Sequence, residues 1–84
     1  MRIVYESTER IEAVFPRSKE RITYEGMLRV RDSGAAPVSL DLKFIPPHPF
    51  VRNMPESHSI RGKSVTEVYM KLVKFLRSMG FEFR

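Results

Sequence analysis

Arg61-Gly62-Lys63-Ser64 is the run in this chain whose residue types and order best suit a ligand. It stands just before a helical stretch, where free backbone N–H groups and the helix dipole favour an anion. Lys63 and Arg61 add positive charge, and Gly62 lets the backbone approach closely. The triplet Gly62-Lys63-Ser64 matches the end of a phosphate-binding P-loop. That motif requires a further glycine at position 57, which is Ser57, and no parallel strand–helix unit precedes it. Nucleotide hydrolysis is therefore not expected. The chemistry these residues suit is a phosphate contact, such as a nucleic-acid backbone. The plainer reading is a capped helix with solvated cations.

His48 and His58 lie ten residues apart. Two histidines with Lys63 are the minimum set for metal-free acid–base cleavage of RNA. Nothing in the sequence fixes their geometry, and exposed loop histidines are the simpler expectation. With no cysteine, disulfides, thiolate ligands and cysteine nucleophiles are excluded. No carboxylates stand at metal-ligand spacing, so no metal and no cofactor are expected.

Two further groups bear on binding. Arg29 and Arg31 fall on the same face of a strand, beside Lys43 and Asp41, and Lys71, Lys74 and Arg77 fall on the polar face of the helix. A helix laid on the opposite sheet face would separate these sets, so one continuous basic groove is not expected. Asp41 is expected to pair with Arg29 across a hairpin, a surface contact worth little. Val4, Val14, Met27 and Ile45 are outward apolar residues, as is Met70. If the first four gather on the uncovered sheet face, they form a patch that suits a protein partner. A homodimer through that face or a sheet edge is the natural form of such a contact.

The 84 residues carry a net charge of +5, with 42% hydrophobic and 30% charged residues. The sequence pI is about 10.0. Residues 1–46 hold eight basic and seven acidic side chains, and residues 47–84 hold seven and three. The excess therefore lies in the second half, and it raises the expectation of an anionic partner, nucleic acid first. Solubility alone accounts for such a charge equally well. No apolar run approaches the roughly 18 residues of a membrane span. Met1-Arg2-Ile3-Val4-Tyr5-Glu6 has no secretory apolar core. A cytoplasmic protein with no membrane contact is the expectation.

The elements that must position these residues are organised around Ser64 to Gly80. At helical spacing Val65, Val68, Tyr69, Leu72, Val73, Phe75, Leu76 and Met79 share one apolar arc of about 160°. Ser64 and Glu67 form a capping box, in which the carboxylate returns to the Ser64 N–H. Gly80 is the residue expected to end the helix. Strands are predicted over about 2–6, 10–15, 21–31 and 37–45, with a polar turn at Glu6-Ser7-Thr8-Glu9; a short helix from Thr8 competes with the second. Gly26 falls in phase within the third and marks a bulge or a close approach. The run 46–63, with four prolines, is a loop near polyproline II at its start, pinned by Phe50, Val51, Met54 and Ile60. A last strand is predicted over 81–84. The sum is one α+β domain: an antiparallel meander of three to five strands with one C-terminal helix on one face. The function expected of it is non-enzymatic binding, of nucleic acid through the helix N-terminus, or of protein through the open sheet face or an edge.

Overall fold

The computed structural model describes residues 2–14, 16, 19, 21–45 and 57–83, with Glu82 and Phe83 described by backbone alone. Strands β1 (Ile3–Val14), β2 (Arg21–Arg31), β3 (Val38–Phe44) and β4 (Ser57–Gly62) precede helix α1 (Val65–Ser78). The four strands pair antiparallel in the order β4-β3-β2-β1, a meander, and the helix packs on one face. The fold is α+β. A two-residue strand, β5 (Glu82–Phe83), pairs with the far side of β1 at Ala13 and Val14.

Alternation decides which face is buried. On β2, Ile22, Tyr24 and Leu28 point inward with Gly26 between them. They stand opposite Ala13, Ile11, Ser7 and Glu9 of β1 and Phe44, Leu40 and Leu42 of β3. Val68, Leu72 and Leu76, at the spacing that returns a helix to one line, close this face, and none of the three is exposed. Tyr24 is fully buried, which pushes its hydroxyl pKa up. Gly26 has a packing reason. A Cβ there would stand 2.9 Å from Leu40 Cδ1 and 3.0 Å from Ile11 Cδ1.

The helix ends as its sequence indicates. Ser64 Oγ accepts the Glu67 N–H at 3.1 Å. At the other end the Gly80 N–H donates to Arg77 O and the Phe81 N–H to Leu76 O, with Gly80 at φ 88°. This Schellman arrangement brings buried Phe81 onto Leu76.

Three expectations need correction. The predicted strands over 2–6 and 10–15 are one strand of 12 residues. The polar run Glu6-Ser7-Thr8-Glu9 makes no turn, because the 11 residues of β2 offer it a continuous ladder. Glu6 adds an ion pair to Arg29 at 2.8 Å. The irregularity lies instead between Ile3 and Tyr5, where the register shifts. Second, the loop predicted over 46–63 ends in a strand, β4. Its inward residues are His58, Ile60 and Gly62, of which Ile60 alone is a strong apolar signal. His58 lies flat on Phe75, with ring centroids 4.0 Å apart and planes 5° from parallel. Residues 46–56, with His48, Phe50, Val51 and Met54, lie outside the described residues. Third, Val65 is 40% exposed although it belongs to the apolar arc. Val65 lies on the flank of α1 that, with Tyr69, Met70 and Val73, borders an open recess.

Among the described residues no helix is long and apolar enough to cross a membrane. Leu72→Ala is expected to cost about 2–5 kcal/mol in denaturant unfolding, as deletion of a closed-in core side chain does. A cost below about 0.5 kcal/mol, the level of a surface substitution, would contradict the packing of α1 on the sheet.

Candidate functional site

The residues singled out at the helix start do not stay together. Lys63 and Ser64 are exposed at the N-terminus of α1, but the anion position there is occupied by the chain itself. The Lys63 N–H donates to Glu67 Oε2, so the carboxylate returns to Lys63 and not to Ser64. Gly62 makes room for it: a Cβ at Gly62 would lie 2.8 Å from Glu67 Oε2. Lys71 is tied to the same corner, with Nζ 2.7 Å from Arg61 O and 4.0 Å from Glu67 Oε1. The dipole of α1 is thus already matched by an internal negative charge.

Arg61 leaves this corner, because β4 turns its side chain to the outer sheet face. There it stands opposite Ser39, which stands opposite Arg29. Arg31 Nη1 donates to Ser39 Oγ at 3.0 Å, and Ser39 is only 2% exposed on a face that no helix covers. Arg29, Arg31 and Arg61 therefore gather around one buried hydroxyl, a cluster that the placement of 57–62 in a loop concealed. Arg29 is compensated twice, by Glu6 at 2.8 Å and Asp41 at 3.0 Å. The hydrogen bond that Arg29 donates to Glu6 is the largest cause that raises the Arg29 pKa. Arg31 and Arg61 have no ion pair among the described residues. Lys74 and Arg77 remain on the helix.

The four outward apolar residues do not form a patch. Met27 lies between Thr8 and Asp41 in the register, beside a recess of about 410 Å³ that Glu25, Arg29, Asp41 and Lys43 also line. Val14 is opposite Arg21, Ile45 bonds the Thr23 carbonyl, and Val4 sits at the far end of β1. Charged and hydroxyl side chains separate them.

Sequence reasoning named a sheet edge without locating it, and the feature it did not place is the free side of β1. Arg31 N–H donates to Pro37 O, and Thr23 O accepts from Ile45 N–H, so odd residues of β2 turn their backbone groups towards β3. The even residues then face β1, where they pair with Tyr5, Ser7, Glu9, Ile11 and Ala13. Glu6, Thr8, Arg10 and Glu12 are left with N–H and C=O on the other side. Among the described residues only β5 pairs there, and only at Ala13 and Val14. Exposed apolar side chains accompany the free stretch: Ile3 47%, Val4 60% and Tyr5 55%. No lysine or proline interrupts Ile3–Val14, although these are common means of blunting an edge. A signal was present in the sequence, since the odd phase of Tyr5 runs unbroken to Ile11 and Ala13.

A second apolar surface follows the Val65 flank of α1. Val65, Tyr69, Met70 and Val73, with Lys74 and Arg77, line a recess of about 500 Å³. Tyr69 is half-buried, and its hydroxyl pKa is raised first by burial and then by the nearby charge of Glu9 and by Tyr5.

Removal of the internal carboxylate should open the helix start to anions. A sulfate titration followed by amide NMR is expected to leave the Lys63 and Ser64 resonances of the unmodified chain in place, and to move them saturably in Glu67→Ala. Saturable shifts in the unmodified chain would contradict this. Comparison with protein-family models, with curated proteins and with solved structures finds no match to this chain.

Proposed function

We propose that this chain is a protein-interaction domain that works by strand addition at the free side of β1. One observation carries the reading: a run of outward backbone donors and acceptors on a long strand, with three exposed apolar residues at its end. Extended partners are held at such an edge by main-chain hydrogen bonds and chosen by alternate side chains. The two outer strands differ in this respect. By the same alternation Arg61 turns its carbonyl away from β3, and Lys71 already takes it. The β4 edge has six residues and one carbonyl already taken by Lys71; β1 has twelve, and among the described residues only Ala13 and Val14 are paired on its free side. Binding by β1 asks for no catalytic residue.

Amide hydrogen exchange on dilute protein tests this reading. The Glu6, Thr8, Arg10 and Glu12 amides should exchange fast, while Ser7, Glu9 and Ile11 are protected by β2. Protection of all seven would mean that the edge is covered within the single chain, and the reading would fail.

The arginine cluster favours a second reading, a phosphate contact with nucleic acid on the outer face. Arg31 and Arg61 supply guanidinium groups that no carboxylate neutralises among the described residues, and guanidinium suits phosphate geometry. Anisotropy with short single-stranded and duplex oligonucleotides at several salt concentrations tests it. Arg31→Ala/Arg61→Ala should weaken binding and reduce the salt slope by about two, one for each phosphate no longer neutralised. An unchanged slope would dismiss this reading.

A further inference from the structure

The strand that best fits the free side of β1 is β1 itself. We propose that two copies of this chain pair through β1, antiparallel, about a two-fold axis at Thr8. The inference rests on the strand-addition reading and names its partner.

The length of the free stretch is the first argument. At one end the register shifts between Ile3 and Tyr5, which breaks the regular ladder at Val4. At the other end β5 takes the edge at Ala13 and Val14. Between these limits lies Val4–Glu12, and its central residue is Thr8. A strand that pairs with its own copy about Thr8 therefore uses the whole free stretch, and Arg2 and Ile3 of each copy, which this register sets at the Ala13 and Val14 positions held by β5, turn aside at the Val4 break.

The side chains choose the same register. An antiparallel partner must keep inner residues opposite inner residues, since a slip of one residue reverses the faces. That leaves axes on Ser7, Thr8 or Glu9 as the central choices. An axis on Glu9 sets Glu9 against itself and Glu6 against Glu12, like charges directly opposed. An axis on Ser7 sets the apolar ring of Tyr5 against Glu9 and leaves Glu6 facing Thr8. An axis on Thr8 sets Glu6 opposite Arg10 twice, by symmetry, and Tyr5 opposite Ile11 twice. No like charges then face each other. Arg10 is exposed and has no ion pair among the described residues, so it is available. Tyr5, 55% exposed in the single chain, gains an aliphatic neighbour.

The backbone agrees. Thr8 has both of its groups on the open side, so the two Thr8 residues exchange a closely spaced pair of hydrogen bonds. The two sheets become one, with both helices on the same face. The contact is isologous: it uses the same edge of each copy and leaves none of it over.

The test is a charge exchange between two variants. Sedimentation of the unmodified chain at rising concentration should pass from the mass of one copy to that of two. At high concentration the Glu6, Thr8, Arg10 and Glu12 amides should slow together. Arg10→Glu alone and Glu6→Arg alone each set like charges opposite one another twice, and each should weaken self-association about tenfold. Mixed in equal amounts, the two variants should form a heterodimer with both pairs restored, at close to the original affinity. Thr8→Pro removes an N–H that β2 does not use, so it should abolish association in a chain that still folds by circular dichroism. Variants that associate as the unmodified chain does, or a mixture that gains nothing over its parts, would overturn the register. A chain that remains one copy at every concentration, with the four amides fast throughout, would overturn self-pairing while the open edge stands. Four slow amides in the dilute single chain would overturn the strand-addition reading itself.

Discussion

Leu40 and Ile11 reach towards each other across a position on β2 that has no side chain. A methyl group at Gly26 would meet both at about 3 Å, inside ordinary contact distance. This is the point on which the sheet depends. It lies on the inner face, where β1, β2 and β3 run side by side and buried side chains leave little spare volume. A slip of either neighbour by one residue would bring outward polar groups into the core. A slip by two would bring a side chain where only hydrogen fits. The glycine thus fixes the register of β1 and β3 at once. That register brings Glu6 and Asp41 to Arg29, Ser39 to Arg31, and the even residues of β1 to the open side.

Periodicity made much of this legible. The apolar arc of α1, its Ser64 start and its Gly80 end were readable because each rests on a local rule. The β2–β3 hairpin was readable because Val38, Leu40, Leu42 and Phe44 alternate without a break. Two elements were obscured by their own polarity. Glu6 to Glu9 has a turn-like composition, and it is extended because β2 is long enough to pair with it. Ser57 to Gly62 has one strong apolar residue facing inward, and a histidine ring stacked on Phe75 supplies the rest of its packing. Both cases show long-range pairing overriding local preference, which sequence patterns carry weakly.

The candidate site was legible in its parts and not in its grouping. Arg61 and Lys63 are two residues apart in the chain and serve different surfaces, since a strand ends between them and a helix begins. Arg61 joins Arg29 and Arg31, which lie some thirty positions earlier in the sequence. The helix N-terminus, the most suggestive local feature, is satisfied from within by Glu67. Among the described residues, Lys63, Lys71, Lys74 and Arg77 thus lie with the helix, and Arg29, Arg31 and Arg61 with the outer sheet face.

The Lys71 ammonium on the Arg61 carbonyl has a consequence for how far assembly can go. Fibrous aggregates of sheet proteins grow because every added copy offers a fresh strand to the next, which requires two live sides on each copy. Here the Arg61 carbonyl on the outer side of β4 is already taken by an internal cation. A second live side on β4 would thus lack one of its acceptors, which works against propagation from copy to copy.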